Sequence, residues 1–330
     1  QHGFEKGSES VLVSAEDLNT IISAQYVMKT KIGLIILMTL FVIVMLVGCS
    51  KQQAIPVGPS SPPQSAAPSA FASSLPSVRD SVTNSYSSAD IFLGDVLTNL
   101  GGSRLMNSPP ATIASSVKEK SRAFGETLSG IDLILSDFNS NRAGIDSSRL
   151  SSSDSDLLMT IEGKLARYSD NKAKMLGCLN SLNAYSEFVD LTIQREEGIK
   201  AFTSKLTQAG DLVGSNKFDQ AITLGQQARG DLLQIKNADV ARNAMGIVNL
   251  GEDTIKAWDV HLEAMDILTG LWTDLKANSM DAATQKAQTH ANTFDRANKL
   301  GANEPSPTAQ ANMVDTWLKQ NVEICKGVLS

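Results

Sequence analysis

Histidines, cysteines and paired acidic residues are the side chains with which this chain could do chemistry, and they are few. Three histidines and three cysteines occur in 330 residues, too few for most zinc or iron–sulfur sites. His261 stands two residues from Glu263, and side chains two apart on a helix diverge. The sequence contains no HExxH, GxSxG or GxxxxGK[ST] motif. We therefore predict no catalytic residues, no metal and no cofactor, as in a protein that is not an enzyme.

Two tryptophans have a spacing that suits either packing or binding. Trp258 and Trp272 are fourteen residues apart, close to four helical turns, so they share one face of a helix. Aromatic residues on an apolar helical stripe usually pack inward, and we expect this stripe to be core. The alternative is an aromatic-lined groove between helices that holds a ligand or a partner.

The segments that carry these residues are predicted to be helices. No proline occurs between Pro110 and Pro305, which removes the strongest helix breaker from that stretch. Apolar residues recur there at helical spacing, and hairpin turn signals are absent. Ser306-Pro307 is typical of a helix start. We predict an all-α fold of six to eight helices, as an antiparallel bundle or stacked helical hairpins.

Interruptions of the helical pattern indicate where the helices end. The polar stretch 139–154 is predicted to be a long loop. Beyond it the pattern suggests one very long helix or two, with Asp170-Asn171 and Gly198 as the expected breaks.

A proline-rich stretch precedes the helical region. Residues 50–76 contain six of the ten prolines of the chain, and small residues fill most of the remainder. Such a composition cannot bury apolar area and behaves as a semi-extended spacer. We predict a tether over 50–76 and a helical domain over 77–330.

The N-terminal residues indicate where the protein is located. Met28-Lys29-Thr30-Lys31 precedes sixteen uncharged residues, 32–47, which is the layout of a secretory signal. Translation is expected to start at Met28, so that residues 1–27 are an upstream extension without a structural role. An uncleaved transmembrane helix is the alternative, although sixteen helical residues span only about 24 Å.

The end of this segment, Leu46-Val47-Gly48-Cys49, resembles the lipobox of a prokaryotic lipoprotein precursor. The resemblance covers residues 28–50 and implies that 28–49 is a lipoprotein signal peptide. It further implies that Cys49 is lipidated and becomes the mature N-terminus. Acyl chains then anchor the protein, since each buried CH₂ contributes about 0.8 kcal/mol. Either interpretation of the segment places 50–330 outside the cytoplasm, on the cell-envelope side of a membrane.

Because that resemblance assigns Cys49 to lipidation, Cys178 and Cys325 are the two cysteines that remain available to pair. An even pair in an oxidising compartment is a disulfide candidate. It would connect the C-terminal helix to the long central helix. The alternative is two separate buried thiols that behave as small apolar residues.

A short segment weakly resembles the tetratricopeptide repeat. Asn216-Lys217-Phe218-Asp219-Gln220-Ala221, near 205–230, is similar to the second-helix half of that helical hairpin. Asn278-Ser279-Met280-Asp281-Ala282-Ala283 follows as a fainter copy 62 residues later. The 34-residue period of the family is missing. Two ordinary helix starts with alanine-rich packing faces are the alternative.

The net charge of −6 excludes one class of partner. Without a basic excess the chain is not expected to bind nucleic acid. The leading hypothesis is a membrane-anchored envelope lipoprotein whose helical domain is a non-enzymatic scaffold or binds a protein partner. Two alternatives remain open: a sensor-like helical bundle that binds a small ligand, and an envelope enzyme whose site is assembled from dispersed residues.

Overall fold

The computed structural model describes residues 71–329 of the chain. Every regular element in this part is a helix, which confirms the predicted all-α class. Eight α-helices follow one another: α1 (Leu75–Asn99), α2 (Gly102–Asn107), α3 (Pro110–Arg142), α4 (Ser152–Gly214), α5 (Phe218–Ala244), α6 (Glu252–Lys276), α7 (Met280–Gly301) and α8 (Pro307–Asn321). Short 3-10 turns lie at Ala72–Ser74, Ser147–Arg149 and Glu323–Cys325.

The helical domain begins earlier than predicted. Ala72 and Leu75 are buried, and α1 begins at Leu75. Pro76 lies in the first turn of α1, where a helix tolerates proline because the missing N–H would have no partner there. The first α-helix therefore begins two residues before the predicted boundary between residues 76 and 77. Within residues 71–329, no helix combines the length and the hydropathy that a membrane span requires.

Serine side chains cap the N-terminal ends of α4 and α8. The Ser151 hydroxyl accepts a hydrogen bond from the backbone N–H of Asp154 at the start of α4. Ser306 does the same for Ala309 at the start of α8, followed by Pro307 in the first helical position. The predicted loop 139–154 is shorter than expected, because α3 continues to Arg142.

Helix α4 is continuous over 63 residues, about 95 Å at 1.5 Å per residue. Neither predicted break interrupts it. Gly198 is buried, and a Cβ built there would lie 2.8 Å from Cγ1 of Ile235 on α5. The glycine therefore lets α5 approach α4 closely and does not end the helix.

The first core lies among α1, α3 and the N-terminal half of α4, and α8 with the segment after it adds Val314, Leu318 and Leu329. Three tyrosine hydroxyls donate to backbone carbonyls across it: Tyr86 to Lys164, Tyr168 to Leu128 and Tyr185 to Leu100. Burial raises the pKa of Tyr86 to about 12. These hydroxyls satisfy their own hydrogen bonding and fix the helices relative to one another.

The C-terminal half of α4 packs against α5, and α6 packs against α7, which gives two stacked helical hairpins. The hairpins share one turn geometry. Asn216 and Asn278 adopt left-handed φ angles of 56° and 54°, a conformation that asparagine tolerates better than most residues. In each turn the next backbone N–H, of Lys217 or Ser279, bonds to the carbonyl five residues earlier at 2.9 Å. The weak 62-residue similarity in the sequence therefore corresponds to a repeated turn.

Ion pairs show the register between α5 and α6. They join Asp219 to Lys276, Arg229 to Asp266 and Lys236 to Asp259. Each step forward along α5 is matched by an equal step backward along α6, as a regular antiparallel pair requires. Between them, Trp272 lies across Gly225, where a Cβ would be 2.6 Å from its ring.

Candidate functional site

The two cysteines considered for a disulfide are bonded to each other. Cys178 on α4 and Cys325 in the last 3-10 turn have Cα atoms 6.6 Å apart, and both side chains are buried. The bridge attaches the C-terminal segment to the middle of α4. Cys49, the predicted lipidation site, lies outside the described residues, as do the signal segment and most of the tether.

The two tryptophans considered for a groove take part in helix packing. Trp272 is 5% exposed and packs on Gly225. Trp258 is half-buried, and its indole N–H donates to Oδ2 of Asp239 at 3.0 Å. Neither indole lines the surface grooves considered below. Trp272 thus belongs to the core, in keeping with the first of the two interpretations.

Asp239 is the centre of a buried polar cluster that the sequence analysis missed. Its carboxylate, fully buried, receives hydrogen bonds from Nε of Arg195 on α4 and Nη1 of Arg242 on α5, besides Trp258 on α6. Arg195 also bonds to Oε1 of Glu304 at 2.9 Å, between α7 and α8. We call these residues the Asp239 cluster. It joins three helices of the stack to the segment that leads into α8.

Arg242 is the most deeply buried cation of the cluster, at 1% exposure. Its guanidinium lies 5.1 Å from the centre of the Phe188 ring and donates to Oε1 of Gln310 at 3.1 Å. Among the residues that the structure describes, its Nε has no hydrogen-bond partner. Burial lowers the pKa of Arg242, against the opposing effect of Asp239. Arg195 is also desolvated, but Asp239 and Glu304 outweigh burial and raise its pKa.

The electrostatics of the Asp239 cluster suit a structural role. Two guanidinium groups face two carboxylates, so the formal charges balance. A buried carboxylate with three donors is held in one orientation, and removal of a partner would leave an uncompensated charge. The arrangement therefore locks helix positions. In the sequence, the only indication of the Asp239 cluster is the i,i+3 spacing of Asp239 and Arg242 on the inward face of α5.

Histidine rings form part of an aromatic row on the α6–α7 hairpin. His261 lies 5.8 Å from Trp258 and 5.4 Å from Phe294, and His290 stacks on Phe294 at 6.0 Å, between ring centres. Burial lowers the pKa of both histidines. Glu263 pairs with Arg296 and not with His261. Among the described residues no group of three or more His, Cys, Asp or Glu is placed to hold a metal ion.

Two surface grooves differ in their chemistry. One, of about 590 Å³, runs along α1 and is lined by Tyr86, Asp90, Lys164 and Lys326 among others. Two of its charged groups are engaged within the chain: the Lys164 ammonium lies over the Tyr86 ring, and Asp90 accepts from the N–H of Gly327.

The other groove, of about 390 Å³, lies between α4 and α5. Leu191, Gln194, Gly230, Leu233, Gln234, Asn237 and Ala238 line it. None of these side chains carries a charge. The groove therefore offers apolar surface together with amide groups that can both donate and accept hydrogen bonds.

Comparison of the chain with protein-family models, with curated proteins and with solved structures gave no match.

Proposed function

We propose that this protein is a membrane-anchored lipoprotein of the cell envelope whose helical domain is a non-enzymatic scaffold that binds a protein partner. The N-terminal sequence supports the anchor, because an uncharged segment ends in the lipobox-like Leu46-Val47-Gly48-Cys49. A proline-rich tether after Cys49 would hold the domain away from the lipid surface.

The bond between Cys178 and Cys325 is the single observation that carries this proposal. Disulfides persist in oxidising compartments such as the periplasm and the cell surface, and are rare in the cytosol. A buried bridge that attaches the C-terminal segment to α4 suits a domain that folds after export.

The stacked hairpins support the scaffold part. Such stacks bury their apolar residues between neighbouring layers and present extended side surfaces to partners. In the described residues, the groups most able to do chemistry are held in place: Asp239 by three donors, His261 and His290 by ring packing. Their arrangement stabilises the stack.

Metabolic labelling with a clickable fatty acid tests the anchor. We expect the wild-type chain to take up label and to fractionate with membranes. Cys49→Ser should lose the label, whereas the double variant Cys178→Ser/Cys325→Ser should keep it, so that the two kinds of cysteine are separated in one experiment. Label retained after Cys49→Ser would contradict the proposal.

Two further measurements test the compartment and the scaffold role. Thiol alkylation of whole cells, with and without prior reduction, should show Cys178 and Cys325 oxidised. Recovery of both as free thiols in the cytosol would overturn the location. Turnover of a hydrolase or transferase substrate that a single substitution abolishes would overturn the non-enzymatic role.

A further inference from the structure

Beyond its first turn, helix α5 directs its charged side chains toward neighbouring helices; Asp219, in the first turn, is 76% exposed. Six charged residues occur in this helix, whose residues are all described, and each belongs to an ion pair. Asp231 pairs with Lys205 on the α4 side, and Asp239 and Arg242 pair within the Asp239 cluster. The others, Asp219, Arg229 and Lys236, pair with α6.

Beyond Asp219, the opposite face of α5 is uncharged. We call it the α5 outer face and define it by six exposed residues: Gln227, Gly230, Leu233, Gln234, Asn237 and Val240. Leu233 is 41% and Val240 42% exposed. Every exposed position of α5 from Gln220 to Ala244 carries an uncharged residue. The solvent-facing side of a helix normally carries charged or polar residues, whereas this face combines three uncharged amides with exposed Leu233 and Val240.

Gly230 forms a depression in the centre of this face. A Cβ built at Gly230 would meet no atom of residues 71–329 within 4 Å, whereas one at Gly225 on the inner side would collide with Trp272. The contact with Trp272 therefore explains why residue 225 is glycine, whereas packing among the described residues does not explain the glycine at position 230. Glycine weakens a helix interior relative to alanine, and a small residue allows another backbone or side chain to approach from outside.

We propose that the α5 outer face binds the same face of a second copy of this chain, across a two-fold axis near Gly230. In such an interface each surface meets itself, so a charged group near the axis would face a like charge. Amide side chains both donate and accept, which lets Gln234 and Asn237 pair with their own counterparts. For a chain of net charge −6, an uncharged face is the surface on which two copies repel each other least.

The inference uses only described residues and does not depend on the proposed anchor. It is tested on the full chain in a mild non-ionic detergent by sedimentation velocity over a wide range of concentration. We expect a reversible dimer for the wild type. Leu233→Glu, which brings two carboxylates together at the axis, should weaken association by at least about tenfold.

A second variant and a matched control distinguish lost association from lost folding. Gly230→Leu fills the depression without charge and has open space within the chain, so it should retain the helical circular dichroism and lose the dimer. Leu133→Glu on α3 changes a side chain that is more exposed, at 68%, and should leave the dimer intact. A monomeric wild type, or a dimer that survives Leu233→Glu, would overturn the inference.

Site-specific crosslinking identifies the occupant in the producing cells. A photo-crosslinking amino acid at Gln234 should give an adduct of twice the mass of the chain, and the same group at Gln288 on α7 should not. An adduct of any other mass, with no doubled species, would mean that a different protein covers the face and would refute the second-copy assignment.

Discussion

The indole N–H of Trp258 on α6 donates to the carboxylate of Asp239 on α5, 3.0 Å away, and the same carboxylate holds Arg195 and Arg242. One side chain thus connects three helices. Asp239→Ala should lower the free energy of unfolding by about 3–5 kcal/mol, because it leaves buried Arg242 without its counter-charge. Urea denaturation followed by circular dichroism measures this loss.

An exposed ion pair in the same helix pair is the control. Asp266 bonds to Arg229 between the same helices, but its side chain is 57% exposed. Asp266→Ala should cost less than about 1 kcal/mol. If Asp239→Ala and Asp266→Ala lower the free energy of unfolding equally, burial does not determine the contribution of Asp239.

Two glycine substitutions should have opposite effects. Gly225→Ala places a Cβ 2.6 Å from Cζ3 of Trp272 and should destabilise the fold by about 1–3 kcal/mol through overpacking. Gly210→Ala on α4, where a Cβ meets nothing within 4 Å, should stabilise it by up to about 1 kcal/mol. Thermal unfolding of the two variants and the wild type shows whether each substitution lowers or raises the melting temperature. Gly225→Ala as stable as the wild type would contradict the close contact.

The disulfide should contribute several kcal/mol to stability. It spans 147 residues of sequence, and on the chain-entropy model a loop of that size contributes about 4–5 kcal/mol, with measured values often lower. Cys178→Ala/Cys325→Ala should therefore unfold at lower urea concentration than the wild type. If the reductant-treated wild type and the double variant unfold at the same urea concentration as the oxidised wild type, the bridge does not stabilise the fold.

Stability should fall as the pH falls below the ordinary histidine pKa. Burial lowers the pKa of His261 and His290 below 6.5 in the folded state, so the unfolded chain binds protons more readily. The stabilisation is fully present above pH 6.5 and is lost as the pH decreases through the folded-state pKa values. Melting temperatures between pH 7.5 and 5.5, a window above most carboxylate titration, should decrease for the wild type and vary less for His261→Gln/His290→Gln.

Local signals in the sequence were sufficient for the class of fold and several boundaries. Proline-free apolar periodicity indicated helices because 3.6-residue spacing is a property of single segments, and Ser306-Pro307 marked the start of α8 by its own chemistry. The start of α1 at Leu75 precedes the predicted boundary because Pro76 suits a linker and a first helical turn equally well. Gly198 resembles a helix break in the sequence because its partner, Ile235, lies on another helix.

The polar sites depended on tertiary packing and could not be predicted in the same way. Asp239 meets Arg195 and Trp258 only after α4, α5 and α6 have packed, and nothing in their sequence spacing singles them out. The α5 outer face shows the same limit. Its lack of charge becomes meaningful only once ion pairs show that Arg229, Asp231 and Lys236 all point elsewhere.

Helix α4 supplies residues to the first core, from Leu158 to Val189, and to the hairpin stack, from Ile199 to Leu206. Because Phe188 of the first core also packs against Arg242 of the stack, melting of either half would expose part of the other. Fluorescence from Trp258 and Trp272 in the stack, and from Trp317 on α8, should consequently report a single cooperative transition. A pulling force applied to the two ends of the domain would then unfold it in a single step.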